Sequence, residues 1–327
     1  RLLDFLADRL DTESTESIEC PWSRRLKALQ SSQLKDLQSL EHAGCAEPVL
    51  VSFPDKLYTR ISSHLGPRVC RGFCDISNEI PTWTFLRRNA TARDMDSLLS
   101  NLTNLGHKAE KCQEAENCIK VETACDSANV SRVPLSQLPL YLSGELEIQD
   151  ESSQLVAELV QCRPTDTVVD LCCGSGGKSL AIASRLQQGC LVLHDTRVSS
   201  MKRAKQRFLR AQAAEGQGLQ GAQGAQRPQD NCNPQIHFVT AVEIAAWEKS
   251  AHWVVIDAPC SNTGSLRRHP ECKYRFFEDE RDNDSFLQLQ QTQRDLLRSA
   301  KKLLVSGGSI VYSTCSVLPE ENESQIE

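Results

Sequence analysis

Thr167-Val168-Val169-Asp170-Leu171 runs into Cys172-Cys173-Gly174-Ser175-Gly176-Gly177-Lys178. The first five residues read as a short strand, apolar and rich in β-branched side chains, as in the buried strands of a parallel sheet. The glycines mark a turn into a helix, Ser179 to Leu186. Glycine at a strand-to-helix turn lets a ligand approach the backbone, and a helix start offers unpaired N–H groups. The turn is not the dinucleotide fingerprint, because the G-x-G-x-x-G order is absent, and it lacks the four-residue spacer of a P-loop. The next strand, Leu191-Val192-Leu193-His194, ends at Asp195. An acid at the end of a second strand commonly accepts hydrogen bonds from ribose hydroxyls. This half of the chain therefore reads as a nucleoside site.

Further along, two apolar runs each end near a cysteine. Trp253-Val254-Val255-Ile256 leads to Asp257-Ala258-Pro259-Cys260, and Ser309-Ile310-Val311-Tyr312 leads to Ser313-Thr314-Cys315-Ser316. Ligands of open α/β sheets collect beyond the carboxyl ends of the strands. Two thiols delivered to that edge are candidates for one site, where one adds to an electrophilic carbon and the other moves a proton. Taken singly, each reads better as an ordinary buried cysteine of a cysteine-rich chain.

Taken together, these motifs resemble one family. Asp170-Leu171-Cys172 through Lys178, Asp257 through Gly264, Arg267-Arg268-His269-Pro270, and Ser313 through Asn322 are similar, in order, to the Sun family of RNA cytosine-5 methyltransferases. The RsmB-like branch, which methylates small-subunit ribosomal RNA, matches best. The resemblance runs over roughly residues 52–327. It includes Pro81-Thr82-Trp83 and Leu86-Arg87-Arg88-Asn89, which open the family's RNA-contacting subdomain, and Gln149-Asp150-Glu151-Ser152-Ser153-Gln154, which enters its catalytic domain.

The resemblance implies an α/β fold: a Rossmann-like class I methyltransferase sheet dependent on S-adenosyl-L-methionine, a smaller α+β RNA-binding subdomain, and a short helical N-terminal segment. Residues 1–50 would be helical, a remnant of a NusB-like domain, with 51–147 the small subdomain and 148–327 the catalytic domain. Cys315 would attack carbon 6 of cytosine. Cys260 would help remove the carbon 5 proton, Asp257 would hold the base, and Lys178 would lie near base and donor. The donor would meet Asp170, Cys172, Cys173, Gly174, Ser175, Gly176, Gly177, Lys178 and Asp257, with Asp195 on its ribose. The chain departs from the family at Cys173-Gly174-Ser175, where alanine-alanine-proline is usual, so a looser donor loop is expected. After the third strand, Gln235-Ile236-His237-Phe238-Val239-Thr240, Glu243 is the candidate replacement for the usual aspartate near the adenine. Phosphates of RNA would meet Arg87, Arg88, Arg267 and Arg268. Competing readings are a non-catalytic ribosome-assembly factor of the same fold and a DNA cytosine-5 methyltransferase.

Composition frames these expectations. The chain has 327 residues, 39% hydrophobic, with no apolar run long enough to span a membrane and no signal-peptide pattern. Fifteen cysteines without C-x-x-C pairs point to a reducing, intracellular compartment and no metal. Cys112, Cys118 and Cys125 read as scattered thiols. A net charge of −6 requires a local basic stripe for RNA, drawn from Arg87-Arg88, Arg93, Arg267-Arg268, Lys273 and Arg275. Leu26, Leu29, Leu37 and Leu40 share one helical face. Ala211 through Pro228, rich in Gln, Gly and Ala, reads as a disordered loop. The first residue is not Met, and a final pair of strands would follow Glu327. A piece of a longer, monomeric protein is expected.

Overall fold

The computed structural model describes residues 48, 51–90, 92–122, 133–217, 234–277 and 280–326. They form two compact units. One takes in residues up to Ile80, Cys260–Gln290 and Cys315 onward; the other takes in Pro81–Pro259 and Gln291–Thr314. These units cut the chain differently from the expected boundaries at 50/51 and 147/148. The expected helix of residues 1–50 lies almost wholly outside the described residues.

The larger unit holds two sheets. Four antiparallel strands, β1 (Trp83–Arg88), β2 (Ala109–Lys111), β3 (Cys118–Glu122) and β4 (Leu146–Ile148), lie in the order β2-β3-β1-β4. The helix Met95–Asn104 is started by Asp94, whose carboxylate accepts from the Ser97 N–H at 2.9 Å. It buries Leu98 and Leu102 against Leu86, Ile119 and Leu146. The second sheet is parallel: β5 (Thr167–Asp170), β6 (Cys190–Leu193), β7 (Gln235–Phe238), β8 (Ala251–Asp257) and β9 (Leu304–Ser313). Its order is β7-β6-β5-β8-β9, so the winding reverses between β5 and β8. The carboxyl ends beside that reversal are where an open α/β sheet binds ligands.

All five strands of this sheet were expected from the sequence. Val168 and Leu191 pack into one apolar cluster, and Val169, Val254 and Ile256 into another. Being covered on two faces is why these strands read as continuous apolar runs. The low-complexity stretch is corrected at its start: Ala211–Gln217 continue the helix Val198–Gln217. Alanine and glutamine are good helix formers, so composition alone misread them. The rest of that stretch lies outside the described residues.

The smaller unit packs the helices Asp55–Leu65 and Pro67–Ser77 around Leu57, Ile61, Cys70 and Cys74. Leu266, Phe276, Phe277, Phe286 and Leu318 complete this core. Among the described residues, no helix is long and apolar enough to cross a membrane.

Candidate active site

In the smaller unit the two cysteines meet. The Sγ atoms of Cys260 and Cys315 are 2.8 Å apart, and the Cys315 N–H donates to Cys260 Sγ at 3.3 Å. Cys315 is exposed and Cys260 is buried. The two loops that carry them are stapled together. Gly264 N–H donates to the Cys315 carbonyl at 2.8 Å, and a side chain at Gly264 would strike that oxygen, its Cβ only 2.9 Å away. Glu321, fully buried, accepts from Ser261 N–H at 2.9 Å and from the Ser261 hydroxyl. Val317 N–H donates to Thr263 Oγ1 at 3.1 Å, and the Asn322 amide donates to the Ser316 and Leu318 carbonyls.

The contact with Cys315 and the loss of water push the Cys260 thiol far above the ordinary thiol range. Cys315, being exposed, is the member of the pair that a substrate can reach. Its thiol donates to Asn262 Oδ1 at 2.6 Å. Asn262 sits at φ +62°, in the left-handed region that asparagine tolerates better than most residues.

The larger unit contains a cavity of about 240 Å³ at the carboxyl ends of β5 and β8. Asp170, Cys172, Cys173, Gly174, Ser175, Gly177, Lys178 and Asp257, all named from the sequence as donor contacts, line it together. Lys178 Nζ donates to Asp257 Oδ2 at 2.7 Å and to Ser153 Oγ at 3.3 Å. Asp170 is buried and accepts from Ser179 Oγ at 2.5 Å and Cys172 N–H at 3.2 Å. Loss of water outweighs those bonds, and with Asp257 nearby the Asp170 carboxyl is pushed up to about 7. Burial also pushes the Cys172 and Cys173 thiols well up, so both stay neutral and neither serves as a nucleophile.

Gly176 is not among the cavity residues. It turns the chain at φ +79°, and a Cβ there would sit 3.1 Å from Ala204 Cβ. Asp195 also stands outside the lining. Burial would raise its carboxyl, but Arg197 and the Gly174 N–H outweigh this and hold it below the usual range. Glu243 is exposed and turned back on its own loop, accepting from Thr240 N–H at 2.7 Å.

A family model described as 16S rRNA methyltransferase RsmB/F matches residues 157–327, more than half of the chain. The chain belongs to the RsmB/F family. Over 278 residues it is 31% identical to "Ribosomal RNA small subunit methyltransferase B" of Proteus mirabilis, covering 84% of this chain and 57% of that protein. The protein of the same name from Pseudomonas syringae pv. tomato is 28% identical over 320 residues, 95% of this chain and 63% of that one. The chain thus spans about three-fifths of these relatives' length. Among solved structures, NSun6 from Pyrococcus horikoshii with SFG superposes at a TM-score of 0.66 and 16% identity, over 85% of this chain and 87% of that one. A methyltransferase homologue from the same organism superposes at 0.62 and 20% identity, over 90% and 81%. These likenesses agree with the Rossmann-like fold.

Against the RsmB/F pattern, the basic residues need correction. Arg87, expected on phosphate, is buried, with 5% exposure. Its Nη1 donates to Gln149 Oε1 at 2.7 Å and to the Gly177 carbonyl at 2.8 Å, and its Nη2 donates to Asn89 Oδ1 at 2.9 Å. Burial lowers it to about 10. Lys273 is likewise buried, held by the Ser52 carbonyl, Asn78 Oδ1 and the face of Phe53, and lowered to about 8 by loss of water. Arg93 pairs with Glu145. Arg88 is half-buried beside a second cavity, with its Nε on Asn117 Oδ1. Arg267 pairs with Glu79 and the Ile80 carbonyl, and Arg268 is exposed.

Cys112 and Cys118 are not scattered: with Glu151 their ligand atoms lie within 4.8 Å of one another. Cys125 lies outside the described residues. Several site residues carried no motif signal. Arg207, on the helix Val198–Gln217, lines the cavity at the carboxyl ends of β5 and β8. Gln149 and Asn262 stood inside quoted motifs without an assigned role.

Proposed function

We propose that the chain carries the catalytic machinery of an RNA cytosine-5 methyltransferase, acting on small-subunit ribosomal RNA inside the cell as a monomer. The observation that carries this reading is the thiol pair, with exposed Cys315 in contact with buried Cys260. The proposed modules are the helical segment 1–50, the RNA-contacting region 51–147 and the catalytic region 148–327.

Carbon 5 of cytosine is a poor nucleophile. Attack of the Cys315 thiolate on carbon 6 forms a sulfur–carbon bond and moves electron density to carbon 5. S-adenosyl-L-methionine, when bound, supplies an electrophilic methyl group to that carbon. Cys260 then takes part in removing the carbon 5 proton, and the Cys315–carbon bond breaks as the double bond re-forms. Asp257 would accept a hydrogen bond from the base's amino group, and Lys178 holds the Asp257 carboxylate in place. The base must leave its stack to be reached.

The donor cavity suits a molecule with a nucleoside at one end and a zwitterion at the other. Its floor at Gly177 is kept open, because a Cβ there would lie 2.9 Å from Arg207 Nη1. Asp150, Asp170 and Asp257 supply acids, and Arg207 and Lys178 supply bases. Among the expected donor contacts, Asp195 would hold the ribose through an oxygen shared with Arg197. A second reading, a fold-retaining assembly factor, is favoured by the turned-back Glu243 and by Arg197 on Asp195, both of which weaken donor recognition.

The deciding experiment is incubation with labelled S-adenosylmethionine and small-subunit ribosomal RNA, followed by bisulfite sequencing. A single new 5-methylcytosine that requires Cys315 supports the enzyme. Donor binding without transfer to any RNA supports the assembly factor.

A further inference from the structure

Gln149 is buried, with 6% exposure, yet its Nε2 has no hydrogen-bond partner among the described residues. A buried amide donor left unpaired is costly, so its aim is informative. The amide cannot be turned around. Arg87 has only donors to offer, and its Nη1 lies 2.7 Å from Gln149 Oε1, which fixes the oxygen on that side. Arg87 is itself held by the Gly177 carbonyl and Asn89.

The free Nε2 faces the donor cavity, which Gln149 lines. It lies 3.6 Å from the point where a Cβ on Gly177 would stand, and Arg207 Nη1 lies 2.9 Å from the same point. Two donors therefore converge on one small space. Arg207 is placed by Glu147, fully buried, whose Oε2 is 3.1 Å from Arg207 Nε. Glu147 is shared with Arg210, so one carboxylate faces two guanidinium groups and the cluster keeps a positive excess. Converging N–H donors with a positive excess call for an anionic acceptor, and a planar carboxylate matches a guanidinium fork.

We propose that Arg207 and Gln149 hold the carboxylate of the methyl donor's amino-acid end, with Arg87 as the positioning residue that points the Gln149 amide. This rests on the methyl-donor reading above and adds the end of the molecule that the glycine turn does not account for. Asp150, Asp170 and Asp257, in the same cavity, supply the acids that a neighbouring ammonium group needs.

Calorimetry on the full chain tests it with two ligands: S-adenosylhomocysteine, which has the carboxylate, and 5′-methylthioadenosine, which lacks it. Gln149→Glu keeps the shape and the bond to Arg87 but sets a negative charge against the ligand. Arg207→Lys keeps a positive charge beside Glu147 but removes the fork. Each should weaken S-adenosylhomocysteine by about ten- to hundredfold, the scale of one hydrogen bond to a charged group. Binding of 5′-methylthioadenosine should stay within about twofold, since it loses no contact. Equal losses for both ligands would mean a distorted cavity and overturn the proposal, as would no loss for either. Unchanged nucleoside binding with weakened RNA binding assigns the pair to phosphate and overturns it too. If the unaltered protein binds neither ligand, the methyl-donor reading itself fails.

Discussion

The thiol loops and the donor cavity are built in opposite ways. Around Cys260 and Cys315, partners come from residues close by in two short motifs: Ser261, Asn262, Thr263 and Gly264 on one side, Ser316, Val317, Glu321 and Asn322 on the other. The donor cavity draws Gln149, Gly177, Arg207 and Asp257 from widely separated segments and leaves one buried amide unpaired. A site whose contacts lie within motifs is legible in sequence. A site assembled from distant segments shows only the part that lies in a glycine turn.

The sharpest test of that contrast acts on the thiols. Cys315→Ala should abolish methylation and any covalent adduct with RNA. Cys260→Ala should instead let a protein–RNA adduct accumulate on denaturing gels, because attack succeeds and release fails. An adduct with Cys315→Ala and none with Cys260→Ala would reverse the roles and favour the DNA-type mechanism.

Glu321 measures how much the loops depend on one another. Glu321→Ala leaves the N–H of buried Ser261 without an acceptor, and leaves its hydroxyl only the Thr263 and Ser316 hydroxyls, each at 3.3 Å. At about 1–3 kcal/mol for one unpaired buried group, a loss of that size is expected. Thermal or urea unfolding reads it, and a loss under about 0.5 kcal/mol would show the loops stand without this staple.

In the donor cavity the corresponding probe is pH. The Asp170 carboxyl is raised in the folded protein to about 7, above its ordinary 3.8. As pH rises from about 4 to about 7, the unfolded chain releases a proton that the folded protein retains. Stability contributed at this site is thus greatest below pH 4 and falls through that window, then levels off. Between pH 5 and 7 the fall should be about 2 kcal/mol, and Asp170→Asn should flatten it. The slope of stability against pH is the measure, since the variant also alters the bonds to Ser179 and Cys172. Equal slopes in the two proteins would show that Asp170 ionises freely in the folded state.

The parallel sheet was readable because its strands are buried on two faces and so form unbroken apolar runs. The antiparallel sheet was not drawn strand by strand, since β2 and β4 span three residues each and carry little periodicity. The burial of Lys273 is hidden in the sequence for a related reason. A basic residue near Arg275 reads as surface, and only the distant Phe53, Ser52 and Asn78 make it a buried one. The helix bearing Arg207 shows the same limit, because its buried partner Glu147 lies on β4, far off in sequence.

Arg87 and Arg88 bring the contrast down to two adjacent residues. Successive side chains on a strand point to opposite faces, so neighbours of identical chemistry meet different surroundings. On β1, Arg87 goes inward to Gln149, and Arg88 goes to a half-buried position bonded to Asn117. Arg88 also lines a cavity of about 230 Å³ together with Arg185, where a phosphate could be met. Arg88→Gln should therefore weaken RNA binding and flatten its dependence on salt by roughly one unit, the effect of one lost phosphate contact. Arg87→Gln should leave the salt slope unchanged and lower the melting temperature, because it breaks three bonds inside the protein. Filter binding at several salt concentrations, run beside thermal melts, separates the two. If Arg87→Gln flattens the slope as much as Arg88→Gln while melting normally, the inward role of Arg87 is wrong, and the RNA path takes in both arginines.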